Sequence, residues 1–141
     1  AGLRIGYAIS NSELIKALND VKYSYNSYTM NRPSLVLGVE SIRDEAYFRE
    51  KVGQIIATRE RFVKEIAELG FTCLPSSANF VFATHESIPA KEIFAAAKEN
   101  NIYVRYFDKP RIDNYLRISI GTDAEMDAFV SFLSKYVKEY K

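Results

Sequence analysis

Residues 115–122 read Tyr-Leu-Arg-Ile-Ser-Ile-Gly-Thr, a stretch in which apolar and polar side chains alternate. Alternate residues of a β-strand point to opposite faces, so Leu116, Ile118 and Ile120 share one face and Arg117 lies on the other. The amphipathic segment that follows, residues 122–137, has the apolar period of a helix that could cover the apolar face. We therefore predict a strand packed against a helix, with Arg117 on the uncovered side.

The segments before this strand alternate between strand and helix. Strand patterns occur at residues 71–74, 79–83 and 102–107, and a helix opened by Pro89 and ended by Asn100 lies between the last two. A polar loop, residues 108–114, leads into the strand that carries Arg117. The sequence thus predicts an α+β fold with two layers, a small sheet covered by helices on one face.

A long helical period precedes this region. It runs from about Asp44 to Leu69 and stops before Gly70, the residue type that most often follows a helix end. Such a helix would be roughly 39 Å long, which is more than a small sheet needs. We predict that it is an interdomain helix within a C-terminal small domain, residues 34–141, and that residues 1–33 are the remnant of a large domain.

The first 33 residues carry shorter patterns. Residues 3–9 have the apolar pattern of a strand, and Ser10 with Glu13 predicts the capping box of a short surface helix. Residues 23–33, rich in Tyr, Ser and Asn, predict an ordered polar loop or a crossing between domains. The sequence does not begin with Met and opens directly on the strand pattern. We therefore expect it to be a piece of a longer chain.

Composition disfavours several classes of function. The chain has 141 residues and a net charge of +1, which gives no large positive field for nucleic acid or an anionic membrane. One cysteine, Cys73, and one histidine, His85, cannot build an internal disulfide or a zinc site. We expect a cytoplasmic protein without a metal site or membrane span, an inert Cys73 in the core, and His85 in a surface loop.

Three arginines are candidates for an anion site. Arg117 and Arg105 lie in neighbouring predicted strands beside aromatic residues, and Arg4 lies between two glycines, where the backbone leaves room for a phosphate. Asn79, at the start of a predicted strand, could donate a hydrogen bond to a ligand oxygen. Solvated arginines and a turn asparagine remain alternative interpretations. The residues alone therefore indicate an anion-binding α+β chain and no particular reaction.

Three motifs together resemble the fold-type-I pyridoxal-phosphate aminotransferases, and among these the histidinol-phosphate aminotransferases. They are residues 1–7, Ala-Gly-Leu-Arg-Ile-Gly-Tyr; residues 78–80, Ala-Asn-Phe; and residues 116–122, Leu-Arg-Ile-Ser-Ile-Gly-Thr. The resemblance covers essentially the whole chain, in the same order, including the long helix. It implies pyridoxal 5′-phosphate as the cofactor.

The resemblance also implies roles for individual residues. Arg4 matches the arginine that binds the cofactor phosphate, and Arg117 matches the arginine that holds the carboxylate of glutamate or 2-oxoglutarate. Because histidinol phosphate has no α-carboxylate, the same guanidinium fork could bind its phosphate. Asn79 and Tyr25-Asn26 match positions near the substrate, and we add Arg105 to this set because it lies in the neighbouring strand.

The reaction implied by the resemblance converts L-histidinol phosphate and 2-oxoglutarate into imidazole acetol phosphate and L-glutamate, in a homodimer and as a step of histidine biosynthesis. The family's cofactor-binding lysine matches a position upstream of Ala1, so we expect no catalytic residue in this chain and no activity from the chain alone. One alternative is another class I or II aminotransferase acting on aromatic or phosphorylated amino compounds. The other is a free-standing regulatory domain that binds small anions.

Overall fold

The computed structural model describes residues 2–140, so Ala1 and Lys141 lie outside the described residues. The chain divides into two compact units, Ala1–Arg49 and Glu50–Lys141. The predicted domain boundary after residue 33 stays a prediction. In chain order the elements are α1 (Ser12–Tyr25), α2 (Arg32–Arg43), α3 (Glu45–Ala67), β1 (Phe71–Cys73), β2 (Phe80–His85), α4 (Ala90–Glu99), β3 (Arg105–Tyr106), β4 (Leu116–Ser119) and α5 (Asp123–Tyr140).

The first unit is helical where the structure describes regular elements. The strand predicted at residues 3–9 is wrong, because residues 4–11 have no regular secondary structure and no neighbouring strand is described in this unit. Helix α1 is capped by Asn11, whose side-chain oxygen accepts a hydrogen bond from the Leu14 N–H at 2.9 Å. The predicted cap at Ser10 is therefore one residue early. The loop predicted from residue 23 is also wrong at its start, since α1 continues through Tyr25.

Local sequence features explain the bounds of the next two helices. Asn31 caps α2, accepting a hydrogen bond from the Ser34 N–H at 2.8 Å, and Pro33 lies in the first turn. Helix α3 has 23 residues, close to the predicted long helix. Gly70, which ends the turn after it, has a φ of 89°, in the left-handed region that glycine adopts without strain.

The second unit is built on a four-stranded antiparallel sheet with the strand order β1-β2-β4-β3. Strand β4 therefore lies inside the sheet and is not at its edge. Its register pairs Phe82 of β2 with Arg117, and Arg117 with Arg105 of β3. The strand predicted at residues 102–107 shrinks to the two residues of β3, since only these two pair with β4.

One face of the sheet packs against the helices and forms the core. Leu116 and Ile118 of β4 are buried, whereas Arg117 and Ser119 are exposed, so the predicted alternation is confirmed. The fully buried large side chains come from α3, α4, α5 and this face of the sheet: Phe62, Ile66, Ile93, Leu116, Ile118, Leu133 and Val81. The predicted α+β architecture, a small sheet covered by helices on one face, is thus the observed one.

His85 is the last residue of β2 and is buried, so its predicted position in a surface loop is wrong. Its Nδ1 accepts hydrogen bonds from the backbone N–H groups of Ser87 and Ile88, each at 3.1 Å. The other ring nitrogen, Nε2, then carries the proton and donates to the carbonyl oxygen of Leu69 at 2.9 Å. Through these hydrogen bonds, His85 links the turn after β2 to the turn that follows α3.

Arg61 joins α3 to the start of α5. Its guanidinium lies 2.9 Å from Oδ1 of Asp123 and 2.6 Å from Oδ1 of Asp127, and the Thr58 hydroxyl donates to Asp123 Oδ1 at 2.8 Å. The hydrogen bond from Arg61, and then that from Thr58, holds the pKa of the Asp123 carboxyl below its usual value of 3.8. These bonds stabilise the ionised carboxylate in the folded chain.

This pKa shift predicts how stability depends on pH. A carboxyl whose pKa is lower in the folded than in the unfolded state contributes stability above the unfolded pKa, and this contribution is lost as the pH falls through the folded pKa. We expect the Tm of the chain, measured by circular dichroism, to fall less steeply in Asp123→Asn than in the wild type between about pH 5 and pH 2. Asp113→Asn, in an exposed loop, is the control and should keep the wild-type slope. Parallel curves for Asp123→Asn and the wild type would contradict the prediction.

Within residues 2–140 no helix is long and apolar enough to cross a membrane.

Candidate anion-binding site

The face of the sheet opposite the core carries Arg105 and Arg117. They are direct cross-strand partners, and both are exposed. Among the described residues neither guanidinium has an acidic partner within 4.0 Å. The structure thus brings together two of the arginines predicted for anion binding, and leaves their charges available to an anion.

Aromatic rings surround the two guanidiniums. The Cζ atom of Arg117 lies 5.4 Å from the ring centroid of Phe80 and 6.0 Å from that of Phe107. The Cζ atom of Arg105 lies 5.5 Å from the same Phe107 centroid. The rings cover part of each cation, and both side chains remain exposed, so their N–H donors are accessible to a carboxylate or phosphate.

Sequence reasoning placed both arginines beside aromatic residues, but it did not predict that Phe80 and Phe107 lie against the two guanidiniums, although a signal was present. Phe107 follows Arg105 by two residues and Phe80 precedes Phe82, the cross-strand neighbour of Arg117, by two, so a strand period places all of them on one face. The missing information was the strand register, which determines which of these side chains lie beside one another.

Asn79 immediately precedes β2, so the strand begins one residue later than predicted. The side chain of Asn79 is exposed. The Asn79 carbonyl oxygen accepts a hydrogen bond from the Ile120 N–H at 2.9 Å, which attaches it to the end of β4. Sequence reasoning also missed Arg59 of α3, whose Nη1 donates to the Ala78 carbonyl oxygen at 2.7 Å. The loop bearing Asn79 is therefore held from both sides, although a role for Asn79 in binding stays a prediction.

The other predicted site residues, Arg4, Tyr25 and Asn26, lie in the first unit. Tyr25 ends α1 and is 91% exposed, and Asn26 accepts a hydrogen bond through Oδ1 from the Tyr28 N–H at 3.0 Å. Arg4 is exposed and has a φ of 55°, an unusual conformation for a residue other than glycine. Their roles in binding stay predictions.

Arg4 and the two glycines near it in the sequence are the residues that could receive the cofactor phosphate. At Gly2 and Gly6, the two glycines that flank it, an added Cβ would meet no atom within 4 Å. The exposed guanidinium of Arg4 has the charge and the donors that a phosphate requires, and neither neighbouring glycine adds a side chain beside it. These residues therefore fit a phosphate group.

Cys73 takes no part in the arginine site. It lies in β1, half-buried, and burial raises the pKa of its thiol. A thiol with a raised pKa is mostly neutral at physiological pH and is a weak nucleophile. The predicted inert character fits this state, although Cys73 is less deeply buried than a core residue.

The family of the chain follows from its sequence. The model of the family "Aminotransferase class I and II" matches residues 1–133. The chain belongs to this family. The expected family is therefore confirmed, and the family supports pyridoxal 5′-phosphate as the expected cofactor.

Curated relatives carry a more specific name. The histidinol-phosphate aminotransferase of Brachyspira hyodysenteriae (strain ATCC 49526 / WA1) is 46% identical over 138 residues, which are 98% of this chain and 39% of that enzyme. The enzyme of the same name from Clostridium botulinum (strain Okra / Type B1) is 45% identical over 139 residues, 99% of this chain and 39% of that enzyme. The chain thus spans about 39% of the length of these relatives.

Solved structures share the fold. A putative histidinol-phosphate aminotransferase from Erwinia carotovora atroseptica SCRI1043 matches with a TM-score of 0.86 and 25% identity, over 99% of this chain and 39% of that one. The histidinol-phosphate aminotransferase of Sinorhizobium meliloti, solved in complex with pyridoxal-5′-phosphate, matches with a TM-score of 0.83 and 24% identity, over 99% of this chain and 38% of that one. At such identities the likeness supports the fold and not the substrate.

Proposed function

We propose that this chain is the C-terminal part of a histidinol-phosphate aminotransferase, and that Arg105 and Arg117 bind the anionic ends of its substrates. The observation that carries the proposal is the pair of cross-strand guanidiniums with no acidic partner among the described residues. Identity of 46% to a curated enzyme of that name supports the choice of substrate.

One site can serve both substrates in this proposal. In the first half of the reaction the arginines bind the phosphate of L-histidinol phosphate, and in the second half they bind a carboxylate of 2-oxoglutarate. A guanidinium presents two parallel N–H donors that fit either group. The products are imidazole acetol phosphate and L-glutamate. The two substrates bind in turn, so the same fork orients each of them.

The cofactor supplies the chemistry that this chain lacks. When bound, pyridoxal phosphate acts as the electron sink for bonds broken at the substrate carbon. Arg4 would hold its phosphate group, for which the exposed guanidinium has the required charge and hydrogen-bond donors. We place the intact enzyme in the cytoplasm, as a homodimer. We assign a role in substrate binding to Asn79 and, independently of it, to Tyr25-Asn26.

The substrate is tested in a chimeric enzyme. The matching 39% of the Brachyspira hyodysenteriae enzyme is replaced by this chain, and transamination of L-histidinol phosphate is compared with that of L-phenylalanine and L-histidinol. We expect kcat/KM to be at least about tenfold higher for L-histidinol phosphate, because only this substrate brings a phosphate to the arginine pair. The unmodified relative is the control for expression and cofactor loading.

Other outcomes of the chimera experiment separate the alternatives. A higher kcat/KM for L-phenylalanine would contradict the assignment to histidinol phosphate and favour an aminotransferase for aromatic amino acids. A chimera that folds and binds cofactor but transaminates none of these compounds would favour an anion-binding domain.

A further inference from the structure

Arg105 and Arg117 are direct cross-strand partners, so two like charges project from neighbouring positions of the sheet. Like charges that face each other across two antiparallel strands destabilise the pair. Each side chain is also long and exposed, so it has many rotamers available in solution. No acidic group among residues 2–140 lies within 4.0 Å of either guanidinium. The strand register already places both side chains on one face of the sheet, and a contact other than an ion pair has to offset their repulsion.

Phe107 makes that contact. Among the rings of the described residues, it is the one within cation–π distance of both guanidiniums, at 5.5 Å from Arg105 and 6.0 Å from Arg117. Phe80 contacts the guanidinium of Arg117 alone, at 5.4 Å. The negative face of an aromatic ring attracts cations, so a ring shared by two guanidiniums offsets part of their repulsion.

The position of Phe107 is itself fixed by the sheet. It directly follows β3, so its backbone is anchored by the pairing of Arg105 with Arg117. Its ring meets the ring of Phe82 edge-on, with centroids 6.4 Å apart, and Phe82 stacks on Tyr115 with centroids 4.7 Å apart. Phe107 is therefore a supported ring and not a loose surface side chain.

We propose that Phe107 is a positioning residue that holds Arg105 and Arg117 together as one receptor for a doubly charged anion. The proposal rests on the proposed function, because it concerns the same arginine pair. Two cations held side by side favour a dianionic group, such as a phosphate monoester, over a group with one charge. Phe107 acts through the arginines and has no reactive role.

The test uses the 141-residue chain and inorganic phosphate. Arginine side-chain Nε–H signals are recorded by NMR without phosphate and during titration. We expect Phe107→Leu to shift the signals of both arginines and to weaken phosphate binding about three- to tenfold. Phe107→Tyr, which keeps the ring, should restore the wild-type arginine signals and the wild-type affinity for phosphate. Phe80→Leu should shift the Arg117 signal and leave that of Arg105 in place. Phe48→Leu, at an exposed ring in α3, should change neither signal.

Each outcome decides a separate question. Phosphate binding that is equal in the wild type and in Phe107→Leu, or arginine signals that do not move, would overturn the role of Phe107 while leaving the arginine site intact. A wild-type chain that does not bind phosphate would overturn the anion site itself. If Phe107→Leu does not fold, the Arg105 Nε–H signal of the wild type decides, since among the described rings Phe107 is the one within cation–π distance of Arg105 and must give this signal an upfield shift. Its absence would overturn the proposal.

Discussion

Replacing Phe62 by alanine is expected to lower the free energy of unfolding of the chain by about 3–5 kcal/mol. Phe62 lies in α3, has an exposed fraction of 0%, and stacks on Phe129 of α5 with ring centroids 6.0 Å apart. Alanine removes the whole ring from a closely packed core and leaves a cavity that its neighbours can fill only in part. A loss of this size is a large fraction of the stability of a small domain.

Urea denaturation followed by circular dichroism measures this loss through the midpoint of the transition. The matched control is Phe48→Ala, which changes the same residue type in the same helix at a side chain that is 59% exposed. We expect the control to shift the stability by less than about 1 kcal/mol. Equal losses for the two variants would show that the core does not centre on the second half of α3.

The fold of the second unit was predictable because its signals are local. The apolar period of α3 includes Phe62, and Gly70 marks its end. The spacing of Thr122 and Glu125 is typical of a capping box at the start of α5. In the structure the Thr122 N–H donates to Glu125 Oε2 at 2.7 Å. Periods and caps depend on residues within a few positions of each other, so a single sequence contains them.

Features that depend on distant partners were not predictable. Residues 3–9 have the composition of a strand, but a strand needs a neighbour to accept its backbone hydrogen bonds. His85 is buried because its ring bonds to Leu69 and to the turn that follows it, and its flanking sequence resembles an ordinary polar loop. The sequence around each segment contains no record of these contacts.

In the candidate site, too, the features set by local sequence were predictable and those set by strand pairing were not. Alternation along residues 115–120 predicts that Arg117 faces away from the helices, and the structure confirms it. That Arg117 faces Arg105 depends on the register between β3 and β4, which alternation along one strand does not determine. The shared ring of Phe107 follows from that register as well, which explains why two arginines could be predicted while their arrangement as a pair could not.

The second large effect is expected from Arg117→Ala on anion binding. Loss of a charge-assisted, bidentate contact should weaken binding of L-histidinol phosphate to the 141-residue chain by about 10- to 100-fold. Isothermal titration calorimetry measures the dissociation constant, and L-histidinol, which has no phosphate, serves as the control ligand. Arg49→Ala, at an exposed arginine of α3 that pairs with Glu45, is the control variant and should bind as the wild type does. Unchanged affinity in Arg117→Ala would remove this residue from the site.

Arg117→Lys separates the geometry of the contact from its charge. Lysine keeps the positive charge but presents a compact ammonium in place of the planar fork, so it can attract a phosphate without making two parallel hydrogen bonds. We expect it to recover only part of the affinity lost in Arg117→Ala. Full recovery of the affinity would mean that the site acts only through its positive electrostatic potential. In that case the side-by-side placement of two guanidiniums on one ring would give no advantage over two separate positive charges, and selectivity for a phosphate over a carboxylate would have to come from other residues.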